Sequence, residues 1–459
     1  MILGLISSGF SQATVDFDHW VYEFIQKMDA RGLFTRFDAG TQPYSRAEIA
    51  NILVQLDRQA TANPNLLSAS ERGLLEQFKG EFHIELADPA VINPRFLERH
   101  TLRWQEQRNR LFVDVTFDQK LDFRSGDQFP SAERQAETTL GVILRGDLHP
   151  NFNFFLHVTN TRSSVEDSTG EHFNPAEGQP VVSTGQSAFS DKAVAYLNWR
   201  LPWFSLKLGR DRIKWGPGYR GGLTLSQNNP LFDLILLQTR FNRFNFQYFH
   251  GFLNSSFEHK YLIGHRVELK ATDWLYLSGT ETLIYGNRSV EMQYLNPIMP
   301  YHVAEHHLGD KDNNMMSFDI SAFPVKNQKY YAELLLDDFS TSENWLTYIG
   351  NKFGILLGGY WAAPLGLKNA DLRLEYTRIE PYVYTHYDSV NIYQNYDQCI
   401  GYWTGPNSDD LLLEMNYWLY RNLHLRLALE QVRRGAGDLY RFPTNAETTK
   451  EFLSGVVER

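Results

Sequence analysis

Two short stretches of this chain gather residue types that could hold a ligand or a metal ion. The first covers residues 206–226, LKLGRDRIKWGPGYRGGLTLS. It opens as a strand with Leu206 and Leu208 outward. Arg210, Asp211, Arg212 and Lys214 then crowd the strand end, followed by Trp215, Tyr219 and Arg220 among glycines. Glycine permits backbone conformations and close approaches that other residues forbid. Trp and Tyr rings offer flat faces to sugar C–H groups, and Arg and Asp bond directionally to hydroxyls and carboxylates. The mixture suits a saccharide. It equally suits a folded-in loop or constriction whose charges meet in internal salt bridges.

The second stretch is QYLNPIMPYHVAEHHLGDKDNN, residues 293–314. His302 and His306 stand one helical turn apart, with Tyr301, Glu305, His307 and Asp310 close by. Imidazoles at that spacing can share a metal. An HExxH arrangement is absent, and a calcium loop would need a Gly at its sixth position and a closing Glu. No metal is therefore assigned, and Tyr301, His302 and Glu305 join the first cluster as candidate ligand contacts. Catalysis finds no support: there is no GxSxG elbow, phosphate loop or Ser/His/Asp set. Neighbouring carboxylates such as Asp337 and Asp338, or Asp409 and Asp410, face opposite ways on a strand and cannot converge on one substrate. The reading is non-enzymatic, with no cofactor.

The elements that position these residues fall into two regimes. Between residues 16 and 95 the apolar period is helical: Trp20, Phe24 and Met28 share one face. Ser45 with Glu48, and Ser68 with Glu71, read as capping boxes that open two further helices. The first carries Ile49, Ile52, Leu53 and Leu56, the second Leu74, Leu75 and Phe78. A small α-helical bundle is predicted. From about Arg110 the period becomes 2, as in Leu111, Val113, Val115 and Phe117, or Leu423, Leu425, Leu427 and Leu429. Strands of about ten residues, apolar on one face and charged on the other, fit a transmembrane antiparallel β-barrel, since lipid accepts the apolar face and a wet lumen the other. About 15 or 16 segments are legible and 16–18 strands are expected. Tight joints (Thr272-Asp273, Arg421-Asn422) alternate with long polar ones, as between a periplasmic and an extracellular rim.

Composition narrows the classes. The chain has 459 residues, 14% of them aromatic, one cysteine (Cys399) and a net charge of −10. The aromatics exclude disorder, and an acidic chain without a basic stripe argues against nucleic acid. A single cysteine excludes an intramolecular disulfide. Residues 1–13 read as the remainder of a secretory signal peptide, short and without its basic region. The expected domains are thus 1–13 signal, 16–95 periplasmic bundle and 100–459 outer-membrane barrel. The closing residues lack a terminal aromatic, and about two C-terminal strands are expected to be missing.

GRDRIKWGPGYRGGLTLS (209–226), NNPLFD (228–233) and YLNPIMPYHVAEHHLGDKDNN (294–314) together resemble the capsule-assembly Wzi family, particularly its relatives outside the enteric bacteria. The resemblance covers roughly residues 16–434. It implies an outer-membrane barrel of about 18 strands with a helical bundle at its periplasmic end. It also implies a lectin-like role in attaching capsular polysaccharide to a Gram-negative cell surface. No site residue is carried over from the family. LFTRFDAGTQPYSRAEIANILVQL (33–56) resembles one S-layer-homology repeat, which implies weak peptidoglycan contact; such units act in threes, and one is present. The expected partners are surface or capsular polysaccharide and outer-membrane lipid, with the chain a monomer. The alternative function is a porin-like or exporter channel with a charged lumen; a barrel enzyme acting on lipid or glycan ranks third.

Overall fold

The computed structural model describes residues 13–34, 40–86, 93–126, 129–149, 151–165, 179–184, 187–340, 342–443, 449–454 and 457–458. The signal-peptide reading of residues 1–13 lies almost wholly outside them.

Three helices form the N-terminal unit: α1 (Val21–Ala30), α2 (Arg46–Ala62) and α3 (Ala69–Glu81). Both capping boxes are formed. The Ser45 and Ser68 hydroxyls accept the N–H groups of Glu48 and Glu71, whose carboxylates accept the cap N–H in return. Phe24, Met28, Ile49, Ile52, Leu53, Leu56, Leu74, Leu75 and Phe78 pack into one core, closed on the barrel side by Trp418. No helix among the described residues is long and apolar enough to cross a membrane.

The rest is a barrel wall. It starts with β1 (Leu102–Glu106), β2 (Asn109–Gly126), β3 (Phe129–His149), β4 (Phe152–Val165), β5 (Ser187–Arg200) and β6 (Ser205–Asp211). It continues with β7 (Phe232–Phe241), β8 (Phe244–Phe252), β9 (Lys260–Lys270), β10 (Leu275–Gly286) and β11 (Asn313–Ala322). It ends with β12 (Gln328–Asp338), β13 (Lys352–Ala362), β14 (Ala370–Ile379), β15 (Ser408–Tyr420) and β16 (Leu423–Arg434). Each strand pairs antiparallel with the next; Glu333 lies opposite Leu356, for example, and Arg373 opposite Glu414. These sixteen strands, counted among the described residues, fall within the expected range; Gln179–Thr184 and Val457–Glu458 add short pairings to β5 and β16.

Alternation assigns the faces. Arg266, Glu268, Asp319, Glu333, Arg373 and Glu375 point inward and are buried, while Val267, Leu269, Leu277, Phe318, Ile320 and Leu374 point outward and are exposed. An apolar outer band is what lipid as solvent requires. At one rim the connections are short, and Trp203, Phe204, Phe241, Phe244 and Trp274 stand exposed around it. The bundle sits at that rim: the Ser70 hydroxyl donates to the Leu419 carbonyl at 3.1 Å, and the Asn327 N–H to that of Ala30 at 2.9 Å. The long connections 212–231, 287–312 and 380–407 all leave the opposite rim.

The lumen is occupied by two of them. Ile213, Trp215, Leu223 and Leu225 of the first, and Tyr384, Tyr393, Ile400 and Tyr402 of the second, pack against Leu234, Phe249, Leu262, Ile284 and Leu356 of the inner wall. The Tyr384 and Tyr393 hydroxyls donate to the Leu223 and Thr224 carbonyls at 2.6 and 2.9 Å, tying the loops together. The bundle also reaches in, where Thr41 and Gln42 pair with Trp215 and Lys214.

Candidate functional site

An inward loop needs partners for its backbone, and wall carboxylates supply them. The Glu375 carboxylate on β14 accepts the N–H groups of Tyr219 and Arg220 at 2.7 and 2.9 Å. Glu333 on β12 accepts those of Leu223 and Thr224 at 3.2 and 3.3 Å. Gly216 has a φ of +110°, and a Cβ there would stand 2.5 Å from a Glu333 oxygen, so only glycine fits. Gly264 makes the facing concession: its missing Cβ leaves room for the Trp215 ring.

The clamped loop borders a cavity of about 1170 Å³. The bundle contributes Trp20, Tyr22, Glu23, Gln26 and Tyr44; the loop contributes Lys214, Tyr219 and Arg220; β15 and β16 contribute Glu414, Trp418, His424, Arg426 and Glu430. From Arg421 to Glu430 it follows the inner side of β16, roughly 30 Å at about 3.3 Å per residue. No residue of β16 is buried.

Charge along this trough is paired, buried at Arg373 and Glu414 and partly exposed at Arg220, Glu430, Arg426 and Glu23. The Arg373 guanidinium lies 3.3 Å over the Tyr219 ring and donates to Glu414 at 3.2 Å; the Tyr219 hydroxyl donates to Glu414 at 3.3 Å. Arg220 meets Glu430 at 2.8 Å and lies over the Trp403 ring; both members of the pair are about a third exposed. Arg426 bonds to Glu23 of the bundle. Half-open ion pairs beside aromatic faces can exchange partners with an incoming carboxylate or hydroxyl at low cost, because each charge stays hydrated.

The structure separates the ten residues singled out from sequence. Lys214, Tyr219 and Arg220 share the trough, although the Lys214 ammonium already donates to the Gly218 carbonyl at 2.5 Å. Trp215 is 1% exposed and its indole N–H donates to Gln247, so it offers no face to a sugar; it is the anchor of the luminal core. Arg210 faces outward toward Asp233 and the Tyr396 hydroxyl. Asp211 faces inward, held by Lys207 at 2.5 Å, and Arg212 donates to the Gln227 carbonyl. Tyr301, His302 and Glu305 lie on α4 (Tyr301–Leu308), away from the lumen. The His302 and His306 rings sit 4.3 Å apart, and among the described residues no group of three or more His, Cys, Asp or Glu is placed to hold a metal. Asp337 is the extra residue of a bulge in β12, so simple alternation does not hold there: its carboxylate accepts the Tyr384 N–H, while Asp338 binds Lys352.

Sequence reasoning missed Glu333, Glu375, Glu414 and Arg426. Their signal was present as charges on inward positions of strands, but nothing local marks which of those charges is answered by a loop.

The family described as "Capsule assembly protein Wzi" matches residues 190–456. Among solved structures, the chain is similar to Wzi of Escherichia coli, an outer membrane protein involved in group 1 capsule assembly and described as a carbohydrate-binding β-barrel. That similarity has a TM-score of 0.60 and 16% identity, over 93% of this chain and 87% of that one. Mutants of the Rh. blastica porin match at a TM-score of 0.37 and 8% identity, over 70% of this chain and 94% of theirs. Pseudomonas aeruginosa OpdK with vanillate matches at 0.35 and 13%, over 72% and 94%. No curated protein matches.

Proposed function

The chain belongs to the Wzi capsule assembly family, and from that premise we propose that it is a non-enzymatic, plugged outer-membrane β-barrel that binds or helps assemble capsular or surface polysaccharide. The bundle then faces the periplasm and the long loops the exterior. The observation that carries the reading is the trough: a channel-like cavity beside a filled lumen, lined by Tyr219, Arg220, Trp20 and exchangeable ion pairs. Its length suits a linear polymer, whose sugar faces stack on aromatic rings while carboxylates or hydroxyls meet Arg220 and Arg426. The E. coli relative's description as a carbohydrate-binding barrel supports the same ligand class.

The test is polysaccharide binding, by titration of polymer extracted from the native cell surface, together with capsule retention on cells. Tyr219→Ala with Arg220→Ala should weaken binding by about 30-fold or more, from one aromatic contact of about 0.5–1.5 kcal/mol and one charged hydrogen bond of about 1.5–3 kcal/mol. Unchanged affinity would remove the trough as the site. Planar-bilayer recordings address the channel alternative, for which stepwise conductance by the unmodified protein would speak.

A further inference from the structure

The connection 287–312 does not enter the lumen. On β9 and β10, Arg266, Glu268, Thr280, Thr282 and Ile284 face inward, so Tyr261, Ile263, His265, Glu281, Leu283 and Tyr285 face outward. These outward residues are nevertheless buried or nearly so, because Tyr294, Tyr301 and Ala304 of the connection lie over them. The segment is an elbow bent down against the outside of the wall.

Its attachment is strong and polar. The Glu281 carboxylate accepts the N–H groups of Tyr301 and His302 at 2.9 and 2.7 Å, and it also binds His265 at 3.0 Å and Asn314 at 3.0 Å. Arg288 holds Asp312 through two bonds and Glu291 through a third. The Tyr294 hydroxyl donates to Asp312, and the Tyr248 hydroxyl to the Tyr294 carbonyl. Glu281 lies five residues below the strand end at Gly286, roughly 16 Å along β10. A carboxylate at that depth on the outer face would meet hydrocarbon unless covered, which is strongly unfavourable.

The elbow's own outer surface carries exposed apolar side chains among exposed Gln293, Asn296, His302, His306 and His307. Met292 and Ile298 are 77% and 78% exposed, and Leu295 and Val303 are exposed beside them. That surface continues the exposed band of Val267, Leu269, Leu277, Phe318 and Ile320 on β9, β10 and β11. We propose that the elbow is a membrane-inserted wedge, with Met292, Ile298 and Val303 among the acyl chains of outer-leaflet lipid and α4 sealing Glu281 and His265 from them. The inference requires the wall to stand in a bilayer and is independent of glycan binding.

Depth-dependent quenching tests it. In a Cys399→Ser background, Ile298→Cys, Val303→Cys and Met292→Cys are labelled singly with bimane and reconstituted in phosphatidylcholine vesicles containing acyl-brominated lipid. Phe318→Cys on the wall and Asp310→Cys at the end of α4 serve as references, and heat-modifiable electrophoresis selects folded protein. Quenching at the three elbow sites should approach that at residue 318 and exceed that at residue 310 by at least about twofold, as for a helix lying in the interface. Quenching equal to that at residue 310, with open access to aqueous iodide, overturns the wedge. Protection from both quenchers that grows with the protein-to-lipid ratio also overturns it, assigning the surface to a second copy of the chain.

Discussion

The two loops clamped by Glu375 and by Glu281 use one device on opposite sides of one sheet. Inside, Glu375 takes the N–H groups of Tyr219 and Arg220; outside, Glu281 takes those of Tyr301 and His302, at the same distances of 2.7–2.9 Å. What surrounds the clamps differs. The inner loop shows aromatic and charged groups to a wet trough, whereas the elbow folds its tyrosines over the carboxylate and turns Met292, Ile298 and Val303 outward. A carboxylate facing water could have been left open. One facing lipid needs a lid.

Removing the inner clamps should have the largest effect. Glu333→Leu with Glu375→Leu orphans four loop N–H groups, and hydrogen bonds to charged partners contribute about 1.5–3 kcal/mol each. The loop should detach, and planar bilayers should record stepwise conductance where the unmodified barrel should be nearly silent. Persistent silence would show that the remaining ties hold the loop, among them the Tyr384 and Tyr393 hydroxyls, the pairing with Thr41 and Gln42 and the Trp215–Gln247 bond. Glu281→Leu should act on the elbow alone, accelerating hydrogen exchange at Tyr301 and His302 by about tenfold or more, with Glu281→Gln partly restoring protection. Conductance should not change; if it did, the two clamps would be coupled through the wall.

A third clamp lies in the bundle, where the Glu48 carboxylate accepts the Ser45 N–H. Ser45→Ala removes one cap from α2 and should cost about 1 kcal/mol in thermal or denaturant unfolding of the bundle, less than either wall clamp. The smallest effect is a pH dependence. Burial pushes the His83 imidazole of the bundle below its ordinary value of 6.5, so the unfolded chain takes up the proton first as pH falls. This contribution to bundle stability is intact above pH 6.5 and is lost as pH falls from there through the lowered value. His83→Gln should flatten that part of the unfolding midpoint's pH profile.

The sequence made much of the frame legible because the frame rests on local rules. Both capping boxes form where Ser-x-x-Glu occurs, and the helical faces of Ile49–Leu56 and Leu74–Phe78 are buried as their spacing requires. Alternation from Leu111 onward marked strands, their inner and outer faces and the asymmetry of the two rims. The clustering of Lys214, Tyr219 and Arg220 was legible as well, since they are neighbours in the chain.

Trp215 shows where local reading stops. Its residue type suits a sugar platform, yet its environment is set by Phe249 on β8, the gap at Gly264 on β9 and Leu225 in its own loop. His302 and Glu305 were grouped with the luminal arginines by chemistry, but the elbow places them on the far side of the wall. Composition and period determined that there would be a helical bundle and a barrel with an apolar outside and a charged inside, because amphipathic period is a property of neighbours in sequence. Which loop enters the lumen, which one folds down the outer face, and which inward or outward carboxylate receives it were decided by tertiary structure alone, because a backbone N–H finds its acceptor wherever the closed wall brings one, here 20 to more than 150 residues away.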